Sequence, residues 1–365
     1  MNIGFPTRRK FLACASVSGI ASVLGGACTY TGKGDRAASS LSTQFEAAGS
    51  DRAFSPPLQT QPYVHRVAPG ESRFPTAADV SAGRAYVSGG YRYFNPDLDV
   101  IILWPDSPLM LSRTAWIQGG RHVRSIGGRL INDGMVTSMF AFSMQTGSMF
   151  CEGMHVDVAG AYCDAFVNRW YREVAAEKGI RARSHPGVTL QHCLATGVNG
   201  TFEGVHGDAY QGQGPIDLIR IEEFTFESAY QGIFVPKTAP PKGLWLRRCN
   251  GRFYEPRSGS AHLYNYWFHT GRETRTSPIY PIRLEQVFAA ESPSPYDQWN
   301  IYASMPNDTL EWGPALMSDA EGEYYDFSGL GIDIRGVVRR GEPPTGDFVT
   351  AESCGTNYNS SWPIL

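Results

Sequence analysis

Between residues 188 and 287 one spacing of apolar side chains occurs four times: Val188-Leu190-Cys193, Ile219-Ile221-Phe224, Leu244-Leu246-Cys249 and Ile282-Leu284-Val287. In each copy two apolar positions flank an outward one, two polar residues follow, and a third apolar residue closes the pattern. A strand turns alternate side chains to opposite faces. The spacing therefore predicts a short strand, a polar corner and a second strand on another face. Successive copies begin 31, 25 and 38 residues apart, an interval that marks turns of chain stacked on one another. Met149-Cys151-Met154 fits one step earlier. Val100-Ile101-Ile102-Leu103 predicts a buried strand ended by Trp104-Pro105-Asp106, and residues 116–126 give another turn between Gly119-Gly120 and Gly127-Gly128. A last apolar alternation, residues 331–338, is placed over the open end, where strand edges would otherwise lie unpaired.

A second file of residues runs through the other side of each turn. Asp164-Ala165-Phe166, Asp208-Ala209-Tyr210, Gln231-Gly232-Ile233 and His262-Leu263-Tyr264 each place a polar residue before a large buried one. The residue after each buried one, Val167, Gln211, Phe234 or Asn265, points outward again. On these residues the chain resembles the right-handed parallel β-helix proteins of the pectate-lyase-like superfamily, whose turns commonly read Asp-Gly-Ile-x-Ile at this step. The stretch His206-Gly207-Asp208-Ala209-Tyr210-Gln211 is similar to the His-x-Asp-x-x-Gln stretch of many bacterial members. The resemblance covers residues 99–291. It implies an all-β fold, a right-handed parallel β-helix (solenoid) with irregular capping segments, and a polysaccharide lying across the outside of one sheet. It selects no reaction, because the superfamily holds lyases, hydrolases, epimerases and non-catalytic adhesins.

Composition agrees with strands and turns: 365 residues carry 40 glycines, 18 tyrosines and 19 phenylalanines, and long amphipathic helical runs are nearly absent. A net charge of −3 argues against a nucleic-acid binder, whose phosphate contacts need an excess of Lys and Arg. Thr7-Arg8-Arg9-Lys10-Phe11-Leu12 resembles the twin-arginine export signal, and a mildly apolar run follows over residues 13–24. Leu24-Gly25-Gly26-Ala27-Cys28 resembles a lipoprotein cleavage box with its Leu one position displaced, so lipidation of Cys28 and plain secretion both stay open. The remaining cysteines, Cys151, Cys163, Cys193, Cys249 and Cys354, are odd in number and lack a CxxC pair. They are read as small apolar fillers rather than disulfides or zinc ligands. The organisation expected is a signal peptide over 1–27, a flexible tether over 28–62, the parallel β-helix over 63–293 and a segment closing it over 294–365.

The sugar-facing groove implied by the resemblance runs over Asp164, Asp208, Gln231 and His262, with His206 and Gln211 beside it. Elimination from an acidic polysaccharide needs a base and positive groups that neutralise a uronate carboxylate. His206 is the candidate base; Arg169, Lys237 and Arg252 are the candidate neutralising groups, and Gln211, Gln231, His262 and Asn265 the remaining sugar-binding side chains. Hydrolysis would instead use Asp164 and Asp208 as the carboxyl pair, and the same two would serve calcium if a metal is used. Structural readings stand beside these. An Asp at a strand start often binds corner N–H groups, His206 can bridge carbonyls, and Glu222, Arg247 and Glu285 form a solvated ladder of alternating charge. His155-x-Asp157 gives a two-ligand metal hint. Two inserts, 169–186 and 255–281, break the regular turns and carry the Arg and aromatic residues suited to specificity.

The expectation is an exported protein, periplasmic, envelope-anchored or secreted, that acts on a polysaccharide, with lyase activity ahead of hydrolysis. A non-catalytic glycan-binding or adhesion module is the alternative. Its partner is the glycan, and membrane contact is expected only through a lipid on Cys28.

Overall fold

The computed structural model describes residues 58, 61–169, 187–201, 205–213, 216–235, 241–253, 266–269, 280–290, 300–303, 314–330 and 333–360. Ser55–Leu365 forms one compact unit. The export signal, Cys28, Lys237, His262 and Asn265 lie outside the described residues, as does most of both inserts. Among the described residues no helix is long and apolar enough to cross a membrane.

Two large, mostly parallel sheets carry the fold, one of 15 strands and one of 8. The chain visits them in turn, and along the two paths below each strand pairs in parallel with the one before it in its own sheet. Ala315–Asp319 and Gly322–Asp326 join the end of the first sheet in antiparallel pairing. The first sheet runs from Tyr63–Arg66 through Val100–Leu103, His122–Ile126, Ser148–Glu152, Gly187–Val198, Leu218–Ser228 and Gly243–Phe253 to Ile282–Ala290. The second runs from Arg73–Phe74 through Ala115–Gln118, Ser138–Ser143, Asp164–Arg169, Asp208–Gly212, Gln231–Phe234 and Tyr266–His269 to Asn300–Ala303.

The patterned stretches align as their spacing requires. Val188 pairs with Ile219, Ile219 with Leu244 and Leu244 with Ile282; five residues on, Cys193 pairs with Phe224, Phe224 with Cys249 and Cys249 with Val287. All are buried in one core, whose aromatic rings stack from circuit to circuit: Phe140 to Phe166 and Phe166 to Phe224 stand edge-on, each pair at 6.0 Å. The described cysteines are free and buried.

Each polar corner is built by one left-handed residue. His192, Glu223, Arg248 and Gln286 have φ of 53°, 50°, 52° and 53°, a conformation that costs a side-chain-bearing residue roughly 1–2 kcal/mol. The turn it gives lets one strand leave the first face and continue on the next without leaving the ladder. Gly153 (φ 65°) and Gly127 (φ 63°) hold the same step in the two preceding circuits. Beside this file Glu222, Arg247 and Glu285 are in register and form the expected charge ladder, with Arg247 reaching Glu222 at 3.4 Å and Glu285 at 3.7 Å.

Three placements differ from the sequence expectation. The residue in register with Gln231 is Tyr266, not His262; alternation of period two cannot distinguish registers that differ by an even number of residues. The strand Tyr266–His269 therefore lies inside the stretch read as an insert. The second sheet also goes on through Asn300–Ala303, inside the segment assigned to closure. Arg252, expected beside the sugar-facing file, sits on the first sheet, because the 11-residue strand Gly243–Phe253 continues past its corner at Arg248 without crossing over.

Residues 334–340 add short strands to Ile282–Ala290 and cover the end of the first sheet. The chain then doubles back across the stack. Asp347 accepts from Asn250 (2.7 Å) and Arg252 (2.9 Å), and the Val349 N–H donates to Thr225 Oγ1 (3.0 Å). The Gly355 N–H donates to the Gly153 carbonyl (2.7 Å), and Ser360 meets both Glu152 and Arg124. Successive residues of this strap thus tie successively earlier circuits together.

Candidate functional site

The strands of the second sheet turn alternate residues inward. Ala115, Ile117, Phe140, Phe142 and Phe166 join the main core, while Trp116, Ala141 and Val167 form a separate cluster on the opposite face. At the start of these strands Ser138, Asp164 and Asp208 come together from three circuits. Ser138 is in register with Asp164 and donates its hydroxyl to Oδ2 at 3.2 Å. The Asp208 backbone N–H donates to Asp164 Oδ1 at 3.2 Å. Gly207 sets up this approach: a Cβ there would overlap the Asn199 carbonyl.

Asp208 is fully buried and Asp164 is 5 % exposed. Burial pushes the Asp164 carboxyl up to about 7 against the pull of its hydrogen bonds. Asp208 is raised well above the usual carboxylate range, by burial first and by the Asp164 charge second. As a carboxylate, Asp208 accepts at Oδ2 from Gln211 Nε2 (2.9 Å) and leaves Oδ1 without a partner. A proton on Oδ1 removes that defect by turning the atom into a donor towards Asp164. The two groups thus act as one interacting pair that favours the protonated forms.

Around the pair stand groups that suit a sugar. Gln213 donates its amide to Gln211, and its own carbonyl accepts from Asn168 Nδ2 (3.1 Å). Arg169 donates to Ser138 Oγ (3.0 Å), lies over the Trp116 ring at 5.8 Å and keeps a buried Nε with no partner. Its side chain forms no ion pair among the described residues. The Trp116 indole donates to Ser143 Oγ (3.1 Å), and the exposed Tyr91 ring lies 6.0 Å from it. A guanidinium on an aromatic face beside amides and carboxyls can bind hydroxyl and carboxylate groups together.

The structure brings Asp164, Asp208, Gln211 and Arg169 to one place, with Gln231 in register beside Asp208. His206 is exposed and its ring lies 5.6 Å from Tyr230. Arg252 is spent elsewhere, on Asp347 and Glu227. His155 and Asp157 are separately engaged: buried His155 meets Thr196 Oγ1 (3.0 Å), and Asp157 pairs with Arg129 (2.8 Å). The carboxyl pair does not fit calcium. That ion takes six to eight oxygens, whereas here two buried carboxyls favour their protonated forms and face N–H donors. Among the described residues no group of three His, Cys, Asp or Glu gathers to hold a metal.

Sequence reasoning missed Ser138, Trp116 and Gln213. Ser138-Met139-Phe140 repeats the polar, then large, step of the Asp164 and Asp208 turns, and would have extended the file by one circuit. Neither a protein-family model, nor a curated protein, nor a solved structure gives a match to this chain.

Proposed function

We propose that this chain is a right-handed parallel β-helix, a solenoid of the pectate-lyase-like kind, that cleaves a polysaccharide on the outer face of its second sheet. The observation that supports this reading best is the Asp164–Asp208 pair. A carboxylic acid still protonated near neutral pH can deliver a proton to the leaving glycosidic oxygen. Asp164, the more exposed member, is the group assigned to that transfer, with the buried, protonated Asp208 behind it. Ser138, Gln211 and Gln213 supply hydroxyl and amide contacts for the sugar, and Trp116 with Tyr91 an aromatic surface. A protonated carboxyl as donor favours hydrolysis, in which water adds to the anomeric carbon as Asp164 protonates the departing oxygen, over the elimination expected from the sequence.

Elimination stays as a second reading on one observation: Arg169, beside the carboxyls, forms no ion pair among the described residues and would neutralise a uronate carboxylate. In that reading His206 is the base. The twin-arginine-like start fits an exported setting for either reaction.

The test is incubation with neutral and acidic polysaccharides, following reducing ends together with the ultraviolet absorbance of unsaturated uronate ends. Reducing ends without new absorbance, lost in Asp164→Asn, support hydrolysis. New absorbance that depends on Arg169 and His206 moves the assignment to a lyase. Glycan retention without turnover in either assay overturns the enzymatic reading and leaves a binding module.

A further inference from the structure

We propose that the C-terminal strap is a proton-controlled device latched by His192, a property independent of the reaction assigned above. The left-handed corner at residue 192 aims the imidazole out of the strand Gly187–Val198 and under the strap. Nδ1 stands 2.8 Å from Glu223 Oε2, and Nε2 stands 3.1 Å from the Ser353 carbonyl oxygen. A carboxylate and a carbonyl only accept. Both hydrogen bonds therefore exist together only when both ring nitrogens carry protons, which makes His192 an imidazolium. The neutral ring keeps one bond and faces the other acceptor with a lone pair.

The charged surroundings of the ring come from each neighbouring element. On the next circuit Glu223 has its carboxyl held below the usual range, chiefly by the bond from His192. Arg248 reaches that same carboxylate at 3.3 Å, with Arg247 beside it. On the preceding circuit Glu152 is paired with Arg124 at 2.7 Å. On the strap Tyr358 places its ring 5.5 Å from the imidazole, and Glu352 adjoins Ser353. Glu223 is thus the carboxylate in direct contact with His192, and Arg248 competes for it.

Release has a defined extent. The strap upstream of Ser353 is held by Asp347 on Asn250 and Arg252 and by Val349 on Thr225. Downstream of it Cys354 is fully buried, Tyr358 packs on Gly153 and Ser360 covers the Arg124–Glu152 pair. Loss of the Ser353 contact loosens the stretch between these two sets of ties, while Gly355 stays bound to the Gly153 carbonyl (2.7 Å).

Hydrogen exchange on the full chain, corrected for the intrinsic pH dependence of exchange, tests the latch. Peptides covering residues 350–358 are expected to lose about tenfold or more of their protection when the pH is raised from about 5 to about 8. The strand Leu218–Ser228 should keep its protection. His192→Gln, which places there the residue that Gln286 already supplies in the same file, should hold the strap at its loosened level at every pH. Equal strap protection at both pH values, or an unchanged pH response in His192→Gln, overturns the proposal. Nitrogen-15 shifts of the His192 ring in the unsubstituted chain give a reading that does not depend on the variant folding. An unprotonated ring nitrogen while the strap stays protected overturns it equally.

Discussion

The Asp208 backbone N–H donates to Asp164 Oδ1 across one circuit of the second sheet, at 3.2 Å. This contact brings two carboxyls into a buried space where both cannot be charged cheaply, and both are shifted upward for that reason. The same burial that makes Asp164 a proton donor near neutral pH is a cost to the fold, and the cost has a measurable sign.

Both carboxyls hold protons in the folded chain that the unfolded chain releases. Their contribution to stability is therefore present in full below the unfolded value, about 3.9, and is lost as pH rises towards about 7, where Asp164 titrates. Asp164→Asn carries no charge to bury and should reduce that slope, leaving the part that Asp208 contributes through its own burial. In urea unfolding followed across this window, the unsubstituted chain should lose stability relative to the variant by on the order of a few kcal/mol. Parallel curves for the two proteins would show that the pair is not buried as described.

His155 has the opposite sign in an overlapping window. Burial, then the neighbouring Arg129 charge, depress its imidazole to about 4. Its contribution is present above the unfolded value, about 6.5, and is lost as pH falls through about 4. His155→Gln, which keeps a polar partner for Thr196, should flatten the acid limb of the stability profile while leaving the neutral side unchanged. A variant with the same acid limb would place the loss elsewhere. The two windows partly cancel in the unsubstituted chain, so only single-site variants separate them.

The all-β, parallel character was legible because inward residues recur at each circuit, and Val188, Ile219, Leu244 and Ile282 do align. Register was less legible. Nothing in alternation distinguishes His262 from Tyr266 as the partner of Gln231, since the two positions are an even number of residues apart. Depth was hidden as well: Asp164 and Asp208 were picked out by type and spacing, but spacing does not say that both would be buried. The strap left no periodic signal at all. Its contacts are backbone and polar groups reaching residues up to 236 positions away, as between Arg124 and Ser360. One hint was present in the file of corners, where Gly127 and Gly153 precede His192 and mark a step that needs positive φ.

That file supplies the last prediction. Gly153 has φ of 65°, and a Cβ added there would overlap the Tyr358 ring. Gly153→Ala therefore meets two separable penalties: backbone strain of about 1–2 kcal/mol, as at the other corners, and expulsion of the ring from its seat on the strand. Only the second depends on Tyr358. Tyr358→Ala removes the ring beforehand, so adding Gly153→Ala to it should cost the backbone term alone. The double-mutant cycle is expected to show a coupling of about 1 kcal/mol or more, with strap exchange in Gly153→Ala rising to the level of Tyr358→Ala. Strict additivity of the two substitutions would mean that the strap does not rest on this corner, and the tie between Gly355 and Gly153 would have to hold it without the aromatic contact.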